Sequence, residues 1–287
     1  MDIGVGLPNA IAGTTGAQVL EWGRRAEACG FSAVATIGAV SFPSHEELTV
    51  LAAVAAVTER VRLMTNVMIA PARSTAELAK QAATVDQLSA GRLTLGMGVG
   101  WRAADFQLTG RSFGGRGKAF DQQLADLGRA WAGEALTDDA RASSPRPVNG
   151  AVPLVIGGHS QAAVRRVVQH GAGWTAGGMP PDAIAPFVEK VRSAWRDAGR
   201  EGTPRIVALA YFSLGDVEEE SRAKMVEYYA PMGEETANAI ASGVLRTPEA
   251  IRAAVDAYRA AGVDELMLDA SISDPGQVDL LADVVLG

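Results

Sequence analysis

The stretch VRLMTNVMIAPARSTAELAKQAATVDQLSAGRLTLGMGVG, residues 61–100, decides the fold. It begins with an apolar, β-branched run that predicts a strand at 61–69. The tetrapeptide STAE at 74–77 matches the capping-box pattern and predicts a helix that continues to Leu88. A second apolar run predicts another strand at 93–97. A strand, a helix and a strand in this order predict two parallel neighbours joined by a crossover helix.

The same alternation extends along the whole chain and predicts eight βα units. Strands are predicted at 3–7, 33–37, 61–69, 93–97, 154–156, 173–176, 205–213 and 265–269. One helix is predicted to start at the SHEE capping box at 44–47, and another runs from the STAE tetrapeptide at 74–77 to Leu88. The other helices are predicted at 17–29, 118–131, 161–170, 182–198, 217–229, 247–261 and 277–286. Eight such units predict an α/β fold, a (β/α)8 TIM barrel that forms a single domain over residues 1–287. The polar segment at about 133–152 predicts a long surface loop within that domain. The alternative architecture is a doubly wound open sheet.

A possible dinucleotide fingerprint follows the fourth predicted strand. Gly98, Gly100 and Ala103 match the pattern G-x-G-x-x-A. That fingerprint needs a helix that opens at the second glycine, whereas the next helix is expected only near Lys118. Asp121 has roughly the right offset for the ribose-binding acid, but it falls inside that helix. The sequence therefore disfavours a Rossmann domain.

Composition narrows the range of partners and compartments. The formal net charge is −7, which disfavours nucleic acid and anionic membrane surfaces as partners. Cys29 is the only cysteine, as is typical of a protein in a reducing compartment. No signal-peptide pattern precedes the first strand, and the apolar run at 48–57 is too short to span a bilayer. We therefore expect a cytoplasmic protein.

Several familiar chemistries lack their residues. His45, His159 and His170 do not have the close spacing of a metal site, so no metal is predicted. The lysines fall in predicted helices, whereas a Schiff-base aldolase needs one on a strand. Neither a nucleophile elbow nor a pair of strand-end carboxylates is found.

Two glycine-rich segments remain, IGGHSQAA at 156–163 and TAGGMPPDA at 175–183. Each lies between a predicted strand and a predicted helix. Glycine lets an anion approach the backbone and a helix N-terminus offers free N–H groups, so both segments predict phosphate binding; the alternative is two plain βα turns. Bulky apolar residues nearby suit a flat conjugated ring with a phosphate tail, although Met97 and Trp174 have the barrel interior as an alternative location. These residues are Phe42, Met68, Met97, Trp101, Phe106, Trp174 and Met179.

The segment LAAVAAVTERVRLMTNVMIAPARSTAELAKQAATVDQLSAGRLTLGMGVGWRAADF, residues 51–106, resembles the luciferase-like monooxygenase superfamily of flavin- and deazaflavin-dependent oxidoreductases. IGGHSQAAVRR at 156–166 and RTPEAIRAAVDAYRAAGVDELML at 246–268 are similar to later motifs of that superfamily. The resemblance implies a (β/α)8 barrel that binds FMN or the deazaflavin coenzyme F420 at its C-terminal mouth. The compact length and the motifs between Gly100 and Asp121 are more similar to the deazaflavin branch.

The resemblance also implies the cofactor contacts. In the deazaflavin branch a non-proline cis peptide presses on the central ring, and Asn66–Val67 stands at the matching position. Gly98 and Gly100 are expected to give the ring room beside the fourth strand. The implied cofactor-binding residues are Asn66, Val67, Gly98, Val99, Gly157, Gly158, His159, Ser160, Ala176, Gly177 and Gly178.

The segment after the second strand departs from the superfamily pattern. Many relatives carry an acid and a histidine, or paired polar residues, where this chain has Thr36, Ile37 and Gly38. No proton donor or other catalytic residue is therefore predicted. His45 is also interpretable as a solvent-facing residue of the first helical turn. The residues predicted to face the substrate are Thr36, Phe42, His45, Trp101 and Asp105.

The resemblance predicts an enzyme that transfers a hydride between F420 and a small organic substrate, with substrate and direction left open. The alternatives are an FMN-dependent monooxygenase and a non-catalytic flavin-binding barrel. The helix over 48–57 carries alanines where a surface helix would carry charge, so both of its sides are expected to be buried. A second subunit would cover the outer side, which predicts a homodimer; the alternative cover is the loop at 133–152.

Overall fold

The computed structural model describes residues 1–287 and contains a closed barrel of eight parallel strands. The strands are β1 (Asp2–Gly6), β2 (Ala33–Thr36), β3 (Arg62–Ile69), β4 (Leu93–Gly98), β5 (Leu154–Gly157), β6 (Gly173–Thr175), β7 (Arg205–Phe212) and β8 (Glu265–Ala270). Pairing of β1 with β8 closes the barrel, from Asp2 beside Glu265 to Gly6 beside Asp269. The predicted (β/α)8 fold is confirmed, and the open-sheet alternative is wrong.

Eleven α-helices accompany the strands. They are α1 (Gly16–Cys29), α2 (Glu47–Ala55), α3 (Thr75–Leu88), α4 (Ala103–Leu108), α5 (Arg116–Ala132), α6 (Gln161–His170), α7 (Pro181–Asp197), α8 (Glu218–Tyr229), α9 (Glu234–Ser242), α10 (Pro248–Ala260) and α11 (Gly276–Val285). None of them combines the length and the apolar character that a bilayer crossing requires.

Side chains alternate along each strand between the barrel interior and the layer beneath the helices. Met64, Val155, Val207 and Met267 belong to a small cluster that fills the interior. A larger core of 55 buried residues lies between the strands and the helices. Met97 and Trp174 belong to that larger core, so neither lies in the barrel interior or faces the mouth.

Ion pairs close the N-terminal end of the barrel. Arg62 lies 3.0 Å from Asp2 and 2.6 Å from Glu265, and Arg205 lies 2.9 Å and 2.8 Å from the same two carboxylates. In barrels of this type the N-terminal end serves stability and the chemistry lies at the C-terminal mouth. The functional site is therefore expected at the opposite end of the strands.

The predicted capping box at 44–47 is wrong. Helix α2 begins at Glu47, and the Glu46 carboxylate caps it by accepting a hydrogen bond from the Thr49 N–H at 2.7 Å. The backbone before α2 is held elsewhere: the His45 N–H donates to the Asn9 carbonyl at 2.9 Å, and Asn9 Nδ2 donates to the His45 carbonyl at 3.2 Å. Tertiary hydrogen bonds therefore shift the start of the helix.

Two short helices were not predicted. Helix α4 has six residues and lies in the glycine-rich segment that was expected to be a loop as far as Lys118. Helix α9 lies between the two helices predicted after β7 and packs against α8 through Ala241 and Met225. Segment 133–152 contains no helix or strand.

Candidate cofactor and substrate site

An irregularity in β3 lies at the C-terminal mouth of the barrel. The Asn66–Val67 peptide bond is cis, as the resemblance implied, and the register against β4 shifts between Thr65 and Met68. The Val67 carbonyl accepts a hydrogen bond from the Gly38 N–H at 3.1 Å. Asn66 is buried, and its Oδ1 accepts a hydrogen bond from Thr175 Oγ1 at 2.8 Å. Contacts from β6 and from the loop after β2 thus hold this bulge in place.

Val67 stands on the bulge between two glycines. A Cβ atom on Gly98 would lie 3.1 Å from Val67 Cγ2, and one on Gly157 would lie 3.4 Å from Val67 Cγ1. The small residues that end β4 and β5 therefore leave space for this half-buried side chain. The result is an apolar knob at the mouth with no bulky neighbour from either strand.

The expectation that Gly98 and Gly100 make room for a ring needs correction. Gly98 borders Val67 directly. Gly100 has φ +73°, and a Cβ atom there would lie 2.5 Å from Ile69 Cγ2. Gly100 is therefore required by the local backbone and by packing, while Val99 packs against the main core.

The loop from β5 to α6 offers an anion site. Gly158 has φ +114°, a conformation that favours glycine. Ser160 caps α6, and its Oγ accepts a hydrogen bond from the Ala163 N–H at 3.2 Å. The N–H groups at the start of a helix have no intrahelical partners, and Ser160 is exposed, so the first turn of α6 is open to a ligand.

His159 connects this loop to the next one. Its Nε2 lies 3.2 Å from the Ala176 carbonyl, and its ring packs edge-on against Trp174 with centroids 6.0 Å apart. Trp174 Nε1 in turn donates to the Gly158 carbonyl at 2.9 Å. One ring nitrogen of His159 is thus engaged by the protein, which fixes the exposed ring at the edge of the α6 site.

The loop from β6 to α7 is a poorer anion site. Gly177 has φ +59° and Gly178 is exposed, so the backbone is accessible there. However, α7 is preceded by Pro180 and begins with Pro181, and proline has no N–H to donate. Asp182 also places a carboxylate in the first turn. The two glycine loops that look alike in sequence therefore differ in their capacity to bind phosphate.

Three residues predicted to face the substrate are held elsewhere. Thr36 is fully buried, and strand alternation directs it toward the helices because Ala35 faces the barrel interior. Asp105 is also fully buried, and its Oδ1 accepts hydrogen bonds from the Ser41 N–H at 2.7 Å and from Ser41 Oγ at 2.6 Å. His45 Nε2 lies 2.8 Å from the Thr14 carbonyl, so His45 is not a solvent-facing residue of a helical turn.

Phe42 and Trp101 do lie near a common neighbour, Tyr228. The Phe42 and Tyr228 rings meet edge-on at 4.9 Å. The Arg102 guanidinium lies 4.3 Å from the Trp101 ring centroid and 4.5 Å from that of Tyr228. Trp101 is 41% exposed. These side chains form one rim of the mouth.

Tyr228 also lines a cavity at the C-terminal ends of β1, β2, β7 and β8. We call this space the mouth cavity. Its walls are mostly apolar. They include Leu7, Ile11, Ile37, Met225, Tyr228 and Asp269.

Asp269 lies near the C-terminal end of β8 and is the one carboxylate that lines the mouth cavity. The residue is 3% exposed, and neither carboxyl oxygen has a hydrogen-bond partner. Burial raises the pKa of the Asp269 carboxyl to about 7. A carboxyl group in this state exchanges its proton near neutral pH, as acid–base groups in active sites do.

The neighbours of Asp269 come from the adjoining strands. Gly6 is its partner on β1, and Tyr211 is its partner on β7. A Cβ atom on Gly6 would lie 2.1 Å from Asp269 Oδ1, so only glycine leaves room for the carboxyl. The Tyr211 hydroxyl pairs with the Tyr229 hydroxyl at 2.6 Å. Tyr211 therefore makes no hydrogen bond to Asp269.

Sequence reasoning missed Asp269 and Tyr211. Both residues lie at the ends of β7 and β8, outside the glycine-rich segments that predict the cofactor site. A signal existed: in ELMLDA, Glu265, Met267 and Asp269 share one face of the strand, and the last of them is nearest the mouth.

Comparison with known proteins places this geometry in a family. Residues 1–281 match the family described as luciferase-like monooxygenase. The chain belongs to that family. A bulged β3 and an open α6 N-terminus at the mouth of a closed barrel are therefore features of a luciferase-like protein.

Individual relatives are more distant. An uncharacterized protein of Mycobacterium tuberculosis is 30% identical over 167 residues, which cover 55% of this chain and 59% of that protein. The FMNH2-dependent dimethylsulfone monooxygenase of Pseudomonas putida is 26% identical over 211 residues, 70% of this chain and 57% of that enzyme. The chain thus spans less than two thirds of the length of these curated relatives.

A solved structure matches the fold from end to end. An F420-dependent secondary alcohol dehydrogenase, in complex with an F420–acetone adduct, superposes with a TM-score of 0.79 at 17% identity. The match covers 99% of this chain and 98% of that chain. At this identity the likeness establishes a shared fold.

Proposed function

We propose that this luciferase-like protein transfers a hydride between the deazaflavin coenzyme F420 and a small organic substrate. The observation that carries the proposal is the placement of Val67. It stands on the β3 bulge between Gly98 and Gly157, on the same rim as the open first turn of α6. An apolar knob supports the face of a planar ring, and a helix N-terminus binds a phosphate.

The residues fit a phosphate-bearing ring cofactor. Gly158 and Ser160 would hold the phosphate through backbone N–H groups of the α6 turn, and Val67 would contact the ring. The mouth cavity would hold the substrate beside the ring, with Leu7, Ile37 and Met225 excluding water. The bound cofactor supplies the hydride chemistry, and the protein supplies binding and orientation.

The choice of F420 over FMN is supported by the segment between Gly100 and Asp121, which resembles the deazaflavin branch. An FMN-dependent monooxygenase is the second candidate, favoured by the similarity to the dimethylsulfone monooxygenase. Turnover in either assay excludes the third candidate, a non-catalytic flavin-binding barrel.

We also propose that the protein is a homodimer of the cytoplasm. Within one chain α2 buries Leu48, Val50, Leu51 and Val54 on its inner side. The outer flank of α2 is uncharged and exposed at Thr49, Ala53 and Ala56, which leaves a smooth surface for a second copy. The loop at 133–152 packs instead near α3, where the Val148 N–H donates to Asp86.

The cofactor proposal is tested by titrating the purified protein with F420 and with FMN, followed by absorbance. Two variants of the helix cap sharpen the test. Ser160→Asp caps a helix as well as serine but places a negative charge where the phosphate would bind; Ser160→Asn is its neutral control. We expect Ser160→Asp to weaken F420 binding about tenfold or more and Ser160→Asn to leave it nearly unchanged. Equal binding by both variants would refute the proposed phosphate site.

Tighter binding of FMN than of F420 would favour the second candidate. Hydride transfer is then measured directly by the loss of the visible band of oxidised F420 in the presence of small alcohols.

A further inference from the structure

The Asp269 carboxyl is isolated within the protein. It projects inward from β8 between Gly6 of β1 and Tyr211 of β7. Both of its oxygens lack a partner, although more than nine tenths of the residue is buried. Leaving a buried polar group without a hydrogen bond destabilises a fold, and native proteins rarely do so without a functional reason.

The surroundings of Asp269 do not compensate for its burial. No arginine or lysine pairs with it, in contrast to Glu265 on the same strand, which two arginines hold. Gly6 contributes only space. The carboxyl therefore faces an apolar cavity with an unused donor or acceptor on each oxygen.

We propose that Asp269 is the catalytic acid–base group of this protein and that the substrates in the mouth cavity are small secondary alcohols and the corresponding ketones. This inference rests on the proposed function, since it assigns the proton that accompanies hydride transfer. Asp269 supplies the proton donor that the segment after β2 lacks.

The step balances in atoms and charge. When the alcohol is oxidised, its O–H proton passes to the Asp269 carboxylate and the O–H bond pair becomes the second C–O bond. The carbinol C–H bond breaks, and its hydrogen leaves with the electron pair to oxidised F420. The products are a ketone, a neutral Asp269 and the reduced deazaflavin. Ketone reduction follows the same path in reverse, with neutral Asp269 as the proton donor.

The cavity walls support this substrate class. Leu7, Ile11, Ile37 and Met225 surround the carboxyl with apolar surface. Asp269 is the one carboxyl group in these walls, and both of its oxygens are open to a hydrogen bond. One oxygen atom on a compact apolar body matches that pattern.

Other titratable groups near the cavity come from β7 and α8. Burial raises the pKa values of Tyr211 and Tyr228, so both phenols stay neutral at physiological pH. Lys224 also lines the cavity, and its Nζ donates to the Ala12 carbonyl at 3.1 Å. The Arg102 guanidinium contacts the Tyr228 ring. The walls from β1 and β2 contribute no titratable side chain.

The test compares wild type, Asp269→Asn and Asp256→Asn, an exposed aspartate on α10 that serves as the matched control. Oxidation of 2-propanol and cyclohexanol is followed by reduction of F420, and the dissociation constant of F420 is measured for each protein. We expect Asp269→Asn to lower kcat by about 100-fold or more with little change in F420 affinity, and Asp256→Asn to behave as wild type. Wild-type kcat should rise about tenfold between about pH 6 and about pH 8, because the carboxylate is the reactive form. The variant should lack that rise.

The possible outcomes are distinguishable. If wild type binds F420 and oxidises an alcohol but Asp269→Asn keeps its kcat, the inference about Asp269 is wrong and the proposed function stands. If Asp269→Asn loses F420 affinity and keeps kcat, Asp269 is a cofactor contact and the inference is also wrong. If wild type neither binds F420 nor oxidises either alcohol, both proposals are wrong. The pKa of Asp269 in the cofactor-free protein does not depend on turnover. It must agree with the pKa that the pH dependence of kcat gives for wild type.

Discussion

Replacing Asp269 by asparagine should make the stability of the protein less sensitive to pH. The carboxyl has a pKa of about 7 in the folded protein against an ordinary value of 3.8. Between these values the folded state keeps a proton that the unfolded state has released. Stability contributed by that proton is therefore lost as the pH rises toward 7.

The size of the effect follows from the shift. Each pKa unit corresponds to about 1.4 kcal/mol, so a shift of roughly three units amounts to about 4 kcal/mol in total. Between about pH 5.5 and about pH 7.5 the wild type should lose roughly 2 kcal/mol through Asp269, whereas Asp269→Asn has no such group to titrate. Burial of Glu47 raises the pKa of its carboxyl to about 7 as well, but that residue is present in both proteins and cancels in the difference.

Urea unfolding of the cofactor-free proteins at the two pH values measures this difference. The free energy of unfolding of Asp269→Asn minus that of wild type should increase by roughly 2 kcal/mol from the lower to the higher pH. Asp256→Asn, with an exposed side chain, should give a constant difference. A constant difference for Asp269→Asn too would mean that Asp269 titrates normally and that its isolation in the cavity has been misinterpreted.

Three further changes test the packing and the assembly. Gly100→Ala and Gly110→Ala both place alanine at a positive φ, but only the Cβ atom at position 100 would meet a neighbouring side chain, at 2.5 Å. Gly100→Ala should therefore be less stable in urea than Gly110→Ala by about 1–3 kcal/mol. Equal losses of stability in the two variants would contradict the packing role of Gly100. Arg73→Met removes the ion-pair partner of the buried Glu47 carboxyl. Without Arg73 the pKa of Glu47 should lie above about 7, so the stability lost by the variant in urea should grow as the pH rises from about 6 to about 8; a loss that is the same at both pH values would contradict the pair's importance. Ala53→Arg places a charge on the exposed outer flank of α2. The mass measured by light scattering should then fall from that of a dimer to that of the 29.8 kDa monomer. A variant that stays dimeric would place the interface elsewhere.

Much of the fold was predictable because the apolar periods of strands and helices are local properties of the chain. The strand at 61–69 and the helix that ends at Leu88 are examples, since each is encoded by its own residues. Helix α9 was not predictable in this way, because its weakly apolar sequence is stabilised by packing of Ala241 against α8. The start of α2 was missed because Asn9, far away in sequence, holds the backbone at His45.

The site was predictable only in part. The bulge at Asn66–Val67 and the loop at Gly157–Ser160 could be located because a known family carries the same motifs. The difference between the two glycine loops depends on Pro180 and Pro181, whose missing N–H groups matter only once the start of α7 is known. Asp269 acquires its properties from burial between β1 and β7, and no local pattern encodes burial of that kind.

The most direct test of the account is a crystal structure of the protein soaked with F420. We predict that the phosphate will lie within hydrogen-bond distance of backbone N–H groups in the first turn of α6, next to Gly158 and Ser160. The deazaflavin ring should rest against Val67, with its reactive face toward the mouth cavity and Asp269. A phosphate bound at α7, or a ring positioned away from Val67, would contradict the account.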